Sequence, residues 1–164
     1  MAILEYIRAE DFLSAVAALM GSFAVIFLVL PIHEYAHGFA ASKLGDPTAK
    51  FSGRLSLNPM RHIDWLGAAM ILLVGFGWAK PVPVNTRYFQ NPKRDMALTA
   101  FAGPFSNLLM ALVSLVFYNG ILKLVFSGGG LLHLSVLSIV LLFLSNFIYT
   151  VAFISVGLAV FNLI

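Results

Sequence analysis

Three long apolar stretches constrain this chain more than any other feature, because each is long enough to cross a lipid bilayer as a helix. They cover residues 12–44, 96–126 and 131–164, and a spanning helix needs about 20 residues. The chain is 60% hydrophobic and only 10% charged, whereas soluble domains average about 25% charged residues. The sequence therefore predicts one all-α domain with three transmembrane helices.

A fourth apolar stretch, residues 65–78, is too short to span a bilayer comfortably and is predicted to be re-entrant or interfacial. Basic residues flank it on both sides, and the positive-inside rule places such residues in the cytoplasm. Loops 45–63 and 79–95 are therefore both expected on the cytoplasmic face. The basic residues in and beside these loops are Lys43, Lys50, Arg54, Arg61, Lys80, Arg87, Lys93 and Arg94.

Two smaller patterns occur in this basic region. Residues 51–58 alternate apolar and polar side chains, which predicts minor β-structure. Residues 81–84 read Pro-Val-Pro-Val and are predicted to be extended, since proline cannot continue a helix.

The composition also excludes some kinds of site. The chain has no cysteine, so a disulfide framework or a thiolate metal site is impossible. Its net charge of +3 fits the positive-inside bias better than a nucleic-acid surface, so no nucleic-acid partner is expected. The acidic start and the length of the first apolar stretch favour a retained helix over a signal peptide.

One motif carries chemistry. His33-Glu34-Tyr35-Ala36-His37 is an H-E-x-x-H pattern within the first apolar stretch. Side chains four residues apart lie on one helix face, so His33 and His37 can bind a single Zn2+ ion. Glu34 is then placed to act as a general base on a water at the metal. A polar helix-packing cluster is the structural alternative, but packing does not require this combination of residues.

The motif and its surroundings resemble the site-2 protease family of intramembrane zinc metalloproteases, in its short prokaryotic form. The resemblance implies a zinc-dependent endopeptidase that hydrolyses membrane-protein or peptide substrates and lies as a multi-pass protein in the cell membrane of a prokaryote. Further segments similar to the family follow in the family's order: Leu44-Gly45-Asp46-Pro47, Leu57-Asn58-Pro59, residues 76–85 and Ala102-Gly103-Pro104-Phe105-Ser106-Asn107.

Asn107 has two interpretations. The resemblance implies a polar group near the zinc that orients the substrate or the tetrahedral intermediate. The alternative is a hydrogen bond between membrane helices, which contributes about 0.6–2 kcal/mol. The two roles are compatible.

The resemblance also implies a third zinc ligand, an aspartate near the end of the last core helix. Phe161-Asn162-Leu163-Ile164 looks like the start of the family's motif, so that aspartate is expected beyond Ile164 and the core is interpreted as incomplete there. Asp64 is the leading internal alternative, with His62 beside it. Asp64 can equally cap a short helix that starts at Trp65.

Two other function classes stay open at this point. One is a membrane protein that binds zinc through His33 and His37 without catalysis. The other is an ion-transporter subunit, for which matching interrupted helices in two halves would be expected. His133 is interpreted as an interfacial residue without a catalytic role.

Overall fold

The structure is a computed structural model that describes residues 11–127 and 136–163. The acidic start of the chain and His133, for which the sequence analysis made predictions, lie outside the described residues. The helices are α1 (Phe12–Ala24), α2 (Leu30–Lys43), α3 (Thr48–Phe51), α4 (Trp65–Val74), α5 (Pro92–Ser127) and α6 (Val136–Phe161).

Three helices in the described part of the chain are long and apolar enough to cross a membrane. The first runs from Phe12 to Lys43 and joins α1 to α2 through a π-helical segment, Val25–Val29; the others are α5 and α6. This confirms the predicted all-α membrane architecture. The π-helical segment ends just before Pro31, which has no N–H to continue a regular helical ladder.

The short apolar stretch forms a hairpin, and its re-entrant or interfacial position in the membrane stays a prediction. Helix α4 ends at Gly75, whose φ of 77° is left-handed, and the chain then runs back along the helix. A side chain on Gly67 would overlap the Trp78 carbonyl. Lys80 N donates to His62 O at 2.8 Å, so the hairpin starts and finishes at one end of the molecule.

The predicted β-structure is wrong, since the described residues contain no strand. Phe51 instead ends α3, and residues 52–58 form turns and loops after it. The N–H groups of Arg54 and Leu55 both bond back to the Ala49 carbonyl, at 2.8 and 3.1 Å. Gly53, with φ 67°, reverses the chain. These local bonds use the donors that a strand ladder would need.

The apolar core lies where the π-helical segment meets α4 and α6. Its buried residues include Val25, Val29, Ile71, Ile154 and Leu158. Helix α5 packs against both α2 and α6, and α1 packs against α6. The α2–α5 contact positions the candidate site.

Candidate metal site

The two motif histidines face each other on α2. His33 Nε2 and His37 Nε2 are 3.0 Å apart, and the ring planes are nearly perpendicular at 84°. Two nitrogens bound tetrahedrally to one zinc at 2.0–2.1 Å would be about 3.3–3.4 Å apart. The separation therefore fits joint binding of one zinc ion after a shift of a few tenths of an ångström.

Helix α5 contributes a glycine directly opposite this pair. A Cβ atom on Gly103 would overlap Nε2 of His37 and Cε1 of His33. Only glycine lets the α5 backbone approach both rings this closely. Pro104 follows inside the helix, where it interrupts the backbone ladder beside the site.

The outer nitrogen of His37 is held by the α5 backbone. His37 Nδ1 lies 2.8 Å from the Thr99 carbonyl oxygen and therefore donates its hydrogen to it. That bond fixes the proton on Nδ1, so Nε2 carries a lone pair. This is the tautomer that binds a metal through Nε2.

The Nδ1 atom of His33 has a different environment from that of His37. Asn107 lies within reach of its ring and is completely buried. His33 Nδ1 and both amide atoms of Asn107 have no hydrogen-bond partner in the part of the chain that the structure describes. A small rotation of the amide would let Asn107 accept from His33 Nδ1. We call His33, His37, Thr99, Gly103 and Asn107 the histidine cluster.

Glu34 is buried beside the histidines and held from the opposite side. Its Oε2 accepts a hydrogen bond from Val82 N at 2.9 Å. Gly38, one turn later on α2, favours this close approach, because a Cβ there would crowd Val82 Cγ1 at 3.3 Å. We call residues 76–84, which form no helix, the extended segment, and its Val82 lies against α2.

These groups line one cavity of about 580 Å3. His33, Glu34 and His37 form one part of its wall, and the extended segment forms another. Phe161 and Asn162, at the end of α6, also reach it. The cavity therefore brings a candidate base, two metal-binding nitrogens and the end of the third long helix together.

The other predicted ligands lie elsewhere. Asp64 caps α4, where its Oδ1 accepts from Leu66 N and Gly67 N at 3.0 and 2.9 Å. His62 is buried, with Nε2 2.6 Å from Ser56 O. Among residues 11–127 and 136–163, no three His, Asp or Glu side chains are grouped to hold a metal. Neither Asp64 nor His62 is therefore a third ligand in this structure.

A second buried polar group fixes the extended segment. Asp46 Oδ1 accepts from Thr48 N at 2.9 Å and from Thr48 Oγ1, and its Oδ2 accepts from Asn85 N at 2.7 Å. Burial raises the pKa of Asp46, but these three bonds lower it more, so its net pKa lies below the ordinary value. We call Asp46, Thr48 and Asn85 the aspartate clamp.

Sequence reasoning missed the contacts made through the backbone. It assigned no role to the Thr99 carbonyl, the Val82 N–H or Asp46. A glycine and a proline together inside an apolar helix were the available signal for close approach at Gly103. The partners joined by His37–Thr99 and Asp46–Asn85 are 62 and 39 residues apart.

Taken together, the fold and the site define an α-helical membrane protein with a His-Glu-His arrangement in which His33 and Glu34 are buried and His37 is partly buried. Comparison with known proteins finds similarity to proteins named as zinc metalloproteases, in agreement with this site. The chain is 48% identical over 93 residues to "Putative zinc metalloprotease YwhC" of Bacillus subtilis, covering 56% of this chain and 42% of that protein. It is 31% identical over 94 residues to "Putative zinc metalloprotease Rip2" of Mycolicibacterium smegmatis, covering 52% and 35%.

The Rip2 protein of Mycobacterium tuberculosis is similar at 33% identity over 92 residues. The chain spans less than half the length of these curated relatives. No family model and no solved structure matches it. The relationships confirm the resemblance to zinc metalloproteases that the motifs indicated.

Proposed function

We propose that this chain is the core of a zinc-dependent intramembrane endopeptidase, in the cell membrane of a prokaryote. One observation carries the proposal: two histidine Nε2 atoms 3.0 Å apart share a cavity with a buried carboxylate, inside a helix long enough to span the membrane. A packing cluster would not need a cavity beside it. The relatives with zinc metalloprotease names come from bacteria.

In this proposal, His33 and His37 hold the metal and Glu34 is the general base. Bound zinc would supply Lewis acidity and lower the pKa of a water molecule. Glu34 accepts a proton from the attacking water and delivers it to the leaving nitrogen of the cleaved peptide. The Val82 N–H bond holds the carboxylate toward the cavity during this transfer. The Thr99 carbonyl keeps His37 in its metal-binding tautomer.

Asn107 and the third ligand complete the proposed site. Asn107 would orient the His33 ring, the substrate or the intermediate, because its unpaired amide lies in the histidine cluster. The third ligand is proposed to be an aspartate beyond Ile164, since Asn162 already lines the cavity. The substrate is proposed to be a membrane-protein segment that unwinds within the cavity.

The test combines metal content with proteolysis. The full-length protein, which includes the proposed third ligand, serves as the parent. It and its His33→Ala and His37→Ala variants would be purified in detergent, and zinc per chain would be measured by elemental mass spectrometry. Cleavage of a single-span membrane peptide would be followed with and without a chelator. Loss of zinc in both variants, and chelator-sensitive cleavage by the parent, are expected. Unchanged zinc in both variants would place the metal elsewhere, and zinc binding without cleavage would favour a non-catalytic protein.

A further inference from the structure

A second cleft, separate from the metal site, lies between the loop after α3 and the start of α4. Its volume is about 760 Å3, and it is open to the outside of the molecule. The lining includes three cationic side chains and a single carboxylate, so the formal net charge is +2. The charged residues are Arg54, Arg61, Lys80 and Asp64.

In the described residues, the two arginines of this cleft bond to backbone carbonyls and not to carboxylates. Arg54 Nη2 donates to the carbonyls of Lys80 and Pro81, at 2.5 and 3.2 Å. Arg61 Nη1 donates to the Gly53 carbonyl. Asp64 Oδ1 is already occupied by two N–H groups of α4. Within residues 11–127 and 136–163, the positive charge of the cleft therefore has no bonded counter-charge, and Arg54 Nε is buried without a partner.

An exposed tryptophan in the cleft is typical of the edge of a membrane-inserted segment. Trp65, which lines it, is 72% exposed and begins the apolar hairpin helix α4. Tryptophan at the start of a membrane-inserted segment typically lies at the level of the lipid headgroups. Met60, 58% exposed, adds a second apolar side chain to the lining. Cations and exposed apolar groups thus face one space, as an amphipathic ligand requires.

We propose that this cleft binds the phosphate of an anionic phospholipid headgroup, with the acyl chains lying along α4. Arg61 and Lys80 would contact the phosphate, because both are exposed and the Lys80 side chain makes no bond in the described structure. Arg54 links the cleft to the candidate active site. The carbonyl it bonds at Pro81 directly precedes Val82, whose N–H holds Glu34.

The binding test compares lipids of equal chain length by native mass spectrometry of the full chain in detergent. Dioleoyl phosphatidylglycerol is expected to bind more tightly than dioleoyl phosphatidylcholine. Each basic residue near a membrane surface strengthens anionic lipid binding about fivefold, so Lys80→Gln should weaken phosphatidylglycerol binding about fivefold. Arg61→Lys keeps the charge and should bind nearly as the parent does.

Lys93→Gln is the matched control, because Lys93 is an exposed cation outside the cleft. It should leave phosphatidylglycerol binding unchanged. An equal loss in Lys80→Gln and Lys93→Gln would show general charge attraction and overturn the proposal. Inorganic phosphate at millimolar concentration serves as a competitor. Its failure to displace the lipid supports a headgroup site, whereas complete displacement would indicate a soluble phosphate ligand and overturn the lipid assignment.

Discussion

The histidine cluster and the aspartate clamp both contain buried polar side chains, yet they differ in how their polar atoms are paired. All three bonds of the clamp end on Asp46, and both carboxylate oxygens are used. In the histidine cluster, His33 Nδ1, Thr99 Oγ1 and both amide atoms of Asn107 have no partner within the described ranges. The hydrogen bonding of the Asp46 carboxylate is complete in the clamp, whereas that of the histidine cluster is not.

The difference separates structural from functional polar groups. A buried polar atom without a hydrogen bond costs roughly 1–3 kcal/mol, so four such atoms together are expensive unless a ligand uses them. Completed networks rigidify a fold and need nothing more. We therefore interpret the aspartate clamp as the support of the extended segment, and the histidine cluster as the place where ligands bind.

The largest expected effect comes from Glu34, which the clamped segment holds beside the histidine cluster. Glu34→Gln keeps a side-chain carbonyl oxygen for the Val82 N–H but removes the base. General-base catalysis typically contributes 10²–10⁴-fold, so the rate of peptide cleavage should fall at least about 100-fold. Zinc content should stay at the parental level. Parental cleavage by Glu34→Gln would disprove the assigned role.

Gly103→Ala tests whether the histidine cluster is the place where zinc binds. The added methyl group overlaps both imidazole rings, so zinc affinity should fall by about 10–100-fold, as for other changes beside metal ligands. Gly120→Ala is the matched control on the same helix, because a Cβ there meets no atom within 4 Å. Zinc titration of both variants is the measurement. Equal zinc affinities would contradict the prediction, because the imidazole rings would then accommodate the added methyl group.

Patterns of local sequence predicted most of the fold and the centre of the site. Apolar length predicted three spans, helical spacing predicted the His33–His37 pair, and the position of Asp64 predicted a helix cap. The alternation at residues 51–58 was misleading, because Gly53 and the Ala49 carbonyl turn the chain locally. The clamp could not be predicted, since it joins distant segments through backbone N–H groups that any residue carries.

The aspartate clamp is tested by Asp46→Asn. Hydrogen bonds to a charged group contribute about 1.5–3 kcal/mol, so the free energy of unfolding in mixed micelles should fall by about that amount. Because the net pKa of Asp46 lies below 3.8, its contribution is present above that pH and is lost as the pH falls through the folded pKa. The free energy of unfolding of Asp46→Asn should therefore be lower than that of the parent throughout pH 5–8.

Asp64→Asn is the control for that measurement. Asparagine caps helices about as well as aspartate, so stability should change little although a carboxylate is again removed. The same variant tests whether Asp64 is the third zinc ligand. Its zinc content should equal that of the parent, and a clear loss of zinc would show that Asp64 reaches the metal.

The smallest expected effect concerns His62, a buried histidine outside the candidate site. Burial lowers its pKa below 6.5, and the nearby Arg54 and Arg61 lower it further, although the bond to the Ser56 carbonyl opposes them. Its Nδ1 has no partner in the described structure, so protonation would bury an N–H without an acceptor. The neutral ring is therefore the folded form.

The sign of the pH effect follows from this preference. Below pH 6.5 the unfolded chain binds a proton that the folded chain does not, so stability falls as the pH decreases. Between pH 7.5 and 5.5 the loss is at most about 1.4 kcal/mol, which is one proton over one pH unit. His62→Gln retains a donor for Ser56 O but does not titrate, so its unfolding free energy should fall less than that of the parent over this interval. Because His33 and His37 are present in both proteins, the difference between the two pH dependences isolates His62. Identical pH dependences would show that His62 is as readily protonated in the fold as in the unfolded chain.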